Sequence, residues 1–171
     1  MADVKRLYGK YRGTVENNVD PMQIGRIQVL VPDVSSVLPS SWAMPCVPVA
    51  GMNMGVFTVP PIGSGVWVEF EQGDPDYPVW VGCYWGTAAE TPMMAHMVPP
   101  AVPGITLQTT LKNGIVISDV PGPTGGILIQ TTTGAMISVS DVGIVIANGK
   151  GAVINMTGPS VDINLGALTV I

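Results

Sequence analysis

The chain has 171 residues, 47% of them apolar and only 11% charged, so it can bury a core but must draw its polar surface from Ser, Thr, Asn, Gln and backbone. Seven Lys+Arg against twelve Asp+Glu give a formal charge of −5, which leaves no electrostatic footprint for a phosphate backbone and excludes nucleic acid as the expected partner. Its 21 Gly and 16 Pro, dispersed among β-branched runs, exclude long helices.

The opening Met1-Ala2-Asp3-Val4-Lys5-Arg6 runs into polar sequence without an apolar h-region, so synthesis and folding in the cytoplasm are expected. Mean hydropathy is +0.42. Every apolar run is nevertheless broken well before the roughly 18 residues that a bilayer span needs. Five segments then read as strands separated by Gly, Pro and Asp turns: Tyr8 to Val15, Gly25 to Val31, Trp42 to Val49, Gly65 to Phe70 and Pro78 to Tyr84. Together they predict a small closed barrel over residues 1–86. Val66-Trp67-Val68 followed by Glu69-Phe70-Glu71 fits a strand with one face inside the barrel and its end in water.

Charge then drops. Residues 1–90 hold five Lys+Arg and nine Asp+Glu, whereas residues 91–171 hold two and three. A Pro/Met/Ala stretch, residues 87–104, marks the border and reads as a linker carrying the single histidine, His96. No second ligand or proton-transfer partner lies near His96, so it reads as a linker residue.

From residue 105 to 171 the chain becomes periodic. Eight apolar runs follow one another: Ile105 to Gln108, Ile115 to Ser118, Ile127 to Gln130, Met136 to Ser140, Ile144 to Ala147, Val153 to Met156, Val161 to Asn164 and Leu168 to Ile171. Glycines at 126, 134, 143 and 151 recur at the interval of a short strand plus one tight corner. A strand of four or five residues cannot bury its apolar face alone, and a single-chain coil of that period has almost no interior. Three chains around one axis solve the problem, with Ile, Val and Leu filling a shared prism, so an obligate homotrimer is expected. The expected fold is all-β: a small N-terminal barrel followed by a C-terminal triple-stranded intertwined β-helix.

The barrel half carries a run of recognisable blocks in a fixed order. Tyr11-Arg12-Gly13-Thr14-Val15-Glu16-Asn17-Asn18 is followed by Gly25-Arg26-Ile27-Gln28-Val29-Leu30-Val31-Pro32. Next come Trp42 to Gly51 and Gly55 to Phe70, with a "Trp, then Gly, then Pro-x-x-Gly, then Val-x-Val-x-Phe" order, and Gly73-Asp74-Pro75-Asp76-Tyr77-Pro78-Val79-Trp80-Val81-Gly82. Over residues 8–86 this resembles the OB module of phage baseplate spike proteins and of the related valine-glycine-repeat proteins of secretion systems. The resemblance implies a structural spike at the centre of the baseplate of a contractile phage tail or phage-tail-like injection particle, puncturing the target envelope when the sheath contracts. It further implies a hub protein above the OB-fold, a small cone-shaped tip protein at the C-terminal end, transient contact with the target membrane, and residence in an assembled virion or particle.

Departures limit what carries over. Some relatives hold a muramidase domain between barrel and helix, but residues 87–104 are too few to fold as one. Others bind iron at the tip through paired histidines, and no His or Cys follows Gly104. No catalytic, cofactor-binding or metal-binding residues are therefore assigned, and no enzyme activity is expected.

The competing reading is a single-chain β-helix that binds or degrades polysaccharide. Asp119, Asp141 and Asp162 are 22 and 21 residues apart and would stack on one face of such a coil. No Lys, Arg or Tyr accompanies them to serve acid–base chemistry, so they read as solvated corners. Trp42, Trp67, Trp80 and Trp85 with Tyr77 and Tyr84 read as barrel core or trimer contacts rather than a stacking platform. The basic residues Lys5, Arg6, Lys10, Arg12 and Arg26 suit an acidic hub surface. Asp74 and Asp76 supply too few oxygens for calcium and read as a turn. Cys46 and Cys83 fit no redox or zinc spacing and are expected as buried free thiols.

Overall fold

The computed structural model describes residues 6–170; Lys5, the preceding N-terminal residues and Ile171 lie outside the described residues. The chain is all-β and divides into two compact units, Met1–Glu90 and Thr91–Ile171.

In the first unit, strands β1 (Tyr11–Asn17), β2 (Gln28–Leu30), β3 (Met44–Pro45), β6 (Gly65–Phe70) and β7 (Pro78–Tyr84) form one sheet in the order β2-β1-β6-β7-β3. The sheet curls until its ends meet, where Ile27 and Ala43 exchange both backbone hydrogen bonds at 3.2 and 2.7 Å. Period-two alternation builds the interior. Val66, Val68 and Phe70 of β6 point inward with Val15, Val29 and Trp80, while Tyr11 packs edge-on against Phe70 at 5.5 Å. Gly13 faces the same interior, where a Cβ would press within 3.2 Å of Val68.

The third expected strand is the one that differs. Between Trp42 and Val49 only Met44–Pro45 forms a strand, because Pro45 and Pro48 cannot donate to a ladder. A small hairpin of β4 (Ala50–Gly51) and β5 (Met54–Gly55) follows, which the pattern of apolar residues does not announce.

The second unit is a single eight-stranded antiparallel meander: β8 (Gly104–Gln108), β9 (Gly114–Ser118), β10 (Gly126–Gln130), β11 (Ala135–Ser140), β12 (Gly143–Asn148), β13 (Val153–Thr157), β14 (Ser160–Ile163) and β15 (Leu168–Val170). Each strand pairs with its neighbours in sequence, so the ladder of one chain is continuous from β8 to β15. All eight periodic apolar runs correspond to these strands. The recurring glycines carry positive φ at 126, 134, 143 and 151. At Gly126 and Gly143 the requirement is double, since a Cβ would also collide with the carbonyl oxygens of Val139 and Met156 at 2.0 and 2.3 Å. A 3₁₀ turn over Met93–Met97 packs on the face of β8 and β9, where Met94 and Val116 are buried and the Met94 N–H donates to Gln108 Oε1 at 2.8 Å.

Candidate trimer interface

Alternation along the meander sorts its side chains into two faces, and the register aligns them into columns. One column runs Ile105, Ile117, Ile127, Val139, Ile144, Met156, Val161, Val170. Beside it runs Leu107, Ile115, Ile129, Ile137, Ile146, Ile154, Ile163, Leu168. Two positions on every strand of the sheet are thus apolar without interruption by a single polar side chain. Leu107 is 65% exposed and Ile105 60%, and the central isoleucines remain about two-fifths exposed, with Ile129 at 43% and Ile137 at 41%. A contiguous apolar face of this extent is far larger than the patches isolated chains leave in water.

The opposite face is different in kind. Its central column reads Thr106, Val116, Leu128, Ser138, Val145, Asn155, Asp162. Gly, Ser, Gln, Ala and Thr flank it, together with Met136 and Val153. Polar and small residues there interrupt the apolar ones, so the two unbroken apolar columns mark the side that must be covered.

Geometry favours three copies for that cover. A five-residue strand at ~3.3 Å per residue makes each sheet roughly 16 Å wide, so the faces of a three-sided prism stand ~5 Å from its axis. That is half the ~10 Å at which packed sheets interdigitate, whereas a four-sided prism would leave a channel of several Å radius. Right-handed twist winds the three sheets around the common axis as they stack.

Other residues singled out by sequence lie elsewhere. Asp119 and Asp141 occupy turns on the same edge of the sheet, and Asp141 Oδ2 accepts the Gly122 N–H at 3.2 Å. Asp162 instead sits within β14 opposite Asn155 and accepts the Gly166 N–H at 2.9 Å. The three carboxylates do not form a row, because antiparallel neighbours replace the coils that a 21–22-residue spacing would require. His96 lies on the Met93–Met97 turn with Nε2 2.8 Å from Thr91 Oγ1. Among the described residues no group of three or more His, Cys, Asp or Glu could hold a metal ion.

In the barrel, only Trp80 of the six aromatics is a core residue, its indole N–H donating to Gly25 O at 3.1 Å. Trp67 and Tyr84 pair on the outside at 5.0 Å with the Arg12 guanidinium over both rings, whereas Tyr77 and Trp85 are exposed. No continuous stacking platform results.

The basic cluster also resolves into local partners. Arg6 meets Asp74, Lys10 meets Glu69, and Arg26 meets Asp20 while covering Trp42. Asp20 is the most constrained of these. Its nearly buried carboxylate accepts from Arg26 Nε and a terminal guanidinium nitrogen and from the N–H groups of Met22, Ile24 and Arg26. The Arg26 guanidinium, against the opposing effect of burial, and those backbone donors hold the Asp20 carboxyl well below the usual carboxylate range. Asp20 also borders an open cleft of about 490 Å³, lined with it by Asn18, Val19, Gln23, Gly25, Phe57 and Val59.

The expectation for the thiols is overturned, since both Cys46 and Cys83 are exposed. Cys46 leaves the two-residue β3 at the end of the sheet order, and Cys83 lies past the register shift between β6 and β7, away from the core. Asp74 and Asp76 do form the turn before β7, with the Asp76 N–H donating to Asp74 Oδ1.

Comparison with known families matches residues 11–85 to the type VI secretion system/phage-baseplate injector OB domain. Residues 104–169 match the phage baseplate V C-terminal trimerisation domain. No curated protein matches the chain.

Proposed function

The chain belongs to the phage baseplate V family, joining that family's injector OB domain to its trimerisation domain, and from that premise we propose that three copies form the central spike that punctures a target envelope. The observation that carries this reading is the uninterrupted apolar face of β8–β15, which requires two further copies to cover it.

The mechanism is mechanical. Seven steps of ~4.8 Å make the stack about 34 Å tall, comparable to the ~30 Å hydrocarbon core of a bilayer. Continuous ladders in each chain and a shared dry core resist bending, and separating one chain exposes the apolar faces of the other two, so the unfolding barrier is high. On the outward face Asp162 is the sole ionisable residue among the strand positions described. A charge at the bilayer centre costs about 2.5–3.5 kcal/mol, so a shaft with so few passes through lipid at low cost.

Both matched domains are structural ones, and the spike acts without catalysis. The OB domains attach to the hub under the tube, residues 87–104 connect barrel to shaft, and the open edge of β15 offers a small tip protein a place to pair. The chain is made in the cytoplasm and works as part of an assembled virion or tail-like particle. Among the described residues no helix is long and apolar enough to cross a membrane.

The test is to produce the particle with an affinity-labelled chain and locate the label by electron microscopy. Three copies on the particle axis below the tube are expected; absence from purified particles, or a place on peripheral fibres, would overturn the proposal.

A further inference from the structure

The five charged residues of the second unit are Lys112, Asp119, Asp141, Lys150 and Asp162, and all but Asp162 lie in turns. A meander places alternate turns on opposite edges of its sheet. Lys112, between β8 and β9, and Lys150, between β12 and β13, therefore share one edge. Asp119, between β9 and β10, and Asp141, between β11 and β12, share the other. All four side chains are exposed, and among the described residues no ion pair joins the two edges within the chain. Nor can one form, because the edges are separated by a strand length of roughly 16 Å.

From this segregation we propose that the corners of the trimer are closed by ion pairs between neighbouring copies, Lys112 to Asp119 and Lys150 to Asp141, and that these pairs fix the axial register of the chains. The inference rests on the trimeric reading above. A three-fold assembly is head-to-tail: the lysine edge of each copy abuts the aspartate edge of the next, identically at all three corners. Heights agree as well. With the copies level, Lys112 and Asp119 differ by one strand step, about 4.8 Å, and Lys150 and Asp141 differ by one step in the opposite sense. A flexible four-carbon ammonium arm spans that offset.

The two opposed offsets make the register specific. Sliding one chain along the axis brings one pair closer only by separating the other, so the level arrangement satisfies both. The apolar columns cannot supply this information, because Ile, Val and Leu repeat along them and a slipped prism would still be filled. Asp141 is held in place by the Gly122 N–H, and the Asp119 N–H is bonded to Pro103 O at 3.1 Å, so the acidic edge is presented by ordered turns.

The experiment compares full-length wild type with K112E/K150E, D119K/D141K and the quadruple exchange K112E/K150E/D119K/D141K, reading mass by light scattering and trimer survival on warming in detergent. Each double variant puts like charges at every corner and should lose the trimer at a clearly lower temperature, while the quadruple exchange restores it. Raising salt should weaken the wild-type trimer and strengthen the doubles. The neutral K112Q/K150Q serves if a reversed variant fails to fold, with an intermediate loss expected. A wild-type chain that is not trimeric overturns this inference together with the reading beneath it. A trimeric wild type whose doubles or neutral variant match it in stability and salt response overturns this inference alone.

Discussion

Ile129 on β10 and Ile137 on β11 stand directly opposite each other, both open to solvent, in the middle of a face that carries two apolar positions on every strand. Cross-strand pairs of this kind stabilise a sheet only weakly by themselves, by about 0.2–1 kcal/mol, so their composition is explained by what lies over them. Replacing Ile129 or Ile144 by Asp places a carboxylate in the shared core of each copy, at a cost of ~3 kcal/mol or more per chain. Ile129→Asp and Ile144→Asp chains are expected to elute as monomers or aggregates in size-exclusion chromatography with light scattering. Assembly that still resists detergent would count against the prism.

The glycines separate strain from space. At Gly143 a side chain meets Met156 O at 2.3 Å in a left-handed backbone, whereas at Gly151 nothing lies within 4 Å of an added Cβ. Gly143→Val should lower trimer stability by several kcal/mol, about the scale of a strained and overpacked site, and Gly151→Ala by roughly 1 kcal/mol. Thermal melts followed by circular dichroism check the order; equal effects at the two sites would contradict the close approach of β12 to β13.

Much of this was legible in the chain before folding was considered. The eight shaft strands fall on the eight apolar runs because period-two alternation bounded by glycine leaves little choice, and β1, β6 and β7 follow from their alternating Val and aromatic residues. Two kinds of feature were not legible. Proline content shortened β3 and moved the next pairing to the β4–β5 hairpin, and residue type alone gave no sign that Cys46 and Cys83 face water. Pairing order mattered more. The same short strands could serve a coil or a meander, and only the meander separates Asp162 from Asp119 and Asp141 and sends lysines to one edge and aspartates to the other.

Asp20 supplies a third test, in the barrel. Asp20→Asn removes the charge that Arg26 and three backbone N–H groups converge on, and it leaves a donor where an acceptor was needed. The melting midpoint of the barrel should fall by roughly 5–10 °C. Because the folded carboxyl is depressed, its contribution is present above the ordinary value of 3.8 and is lost only as pH falls below it. Wild-type stability should thus show no Asp20-linked change between pH 5 and 9, and a loss on acidification within that window would contradict the arrangement.

The thiols give a quick chemical check. Both should react with iodoacetamide in the native protein without denaturant, since both are exposed. Partial burial raises the Cys83 thiol above its ordinary 9.0, so its alkylation should be slow at neutral pH and accelerate as pH climbs past that value. Protection of either cysteine until unfolding, read by mass spectrometry, would restore the buried assignment.

The most direct measurement is the solution mass of the full-length chain by light scattering, alone and after warm detergent. Three times 17.8 kDa, persisting in detergent, is the predicted result. A well-folded species of 17.8 kDa, with the β8–β15 isoleucines open to water, would contradict the trimeric spike.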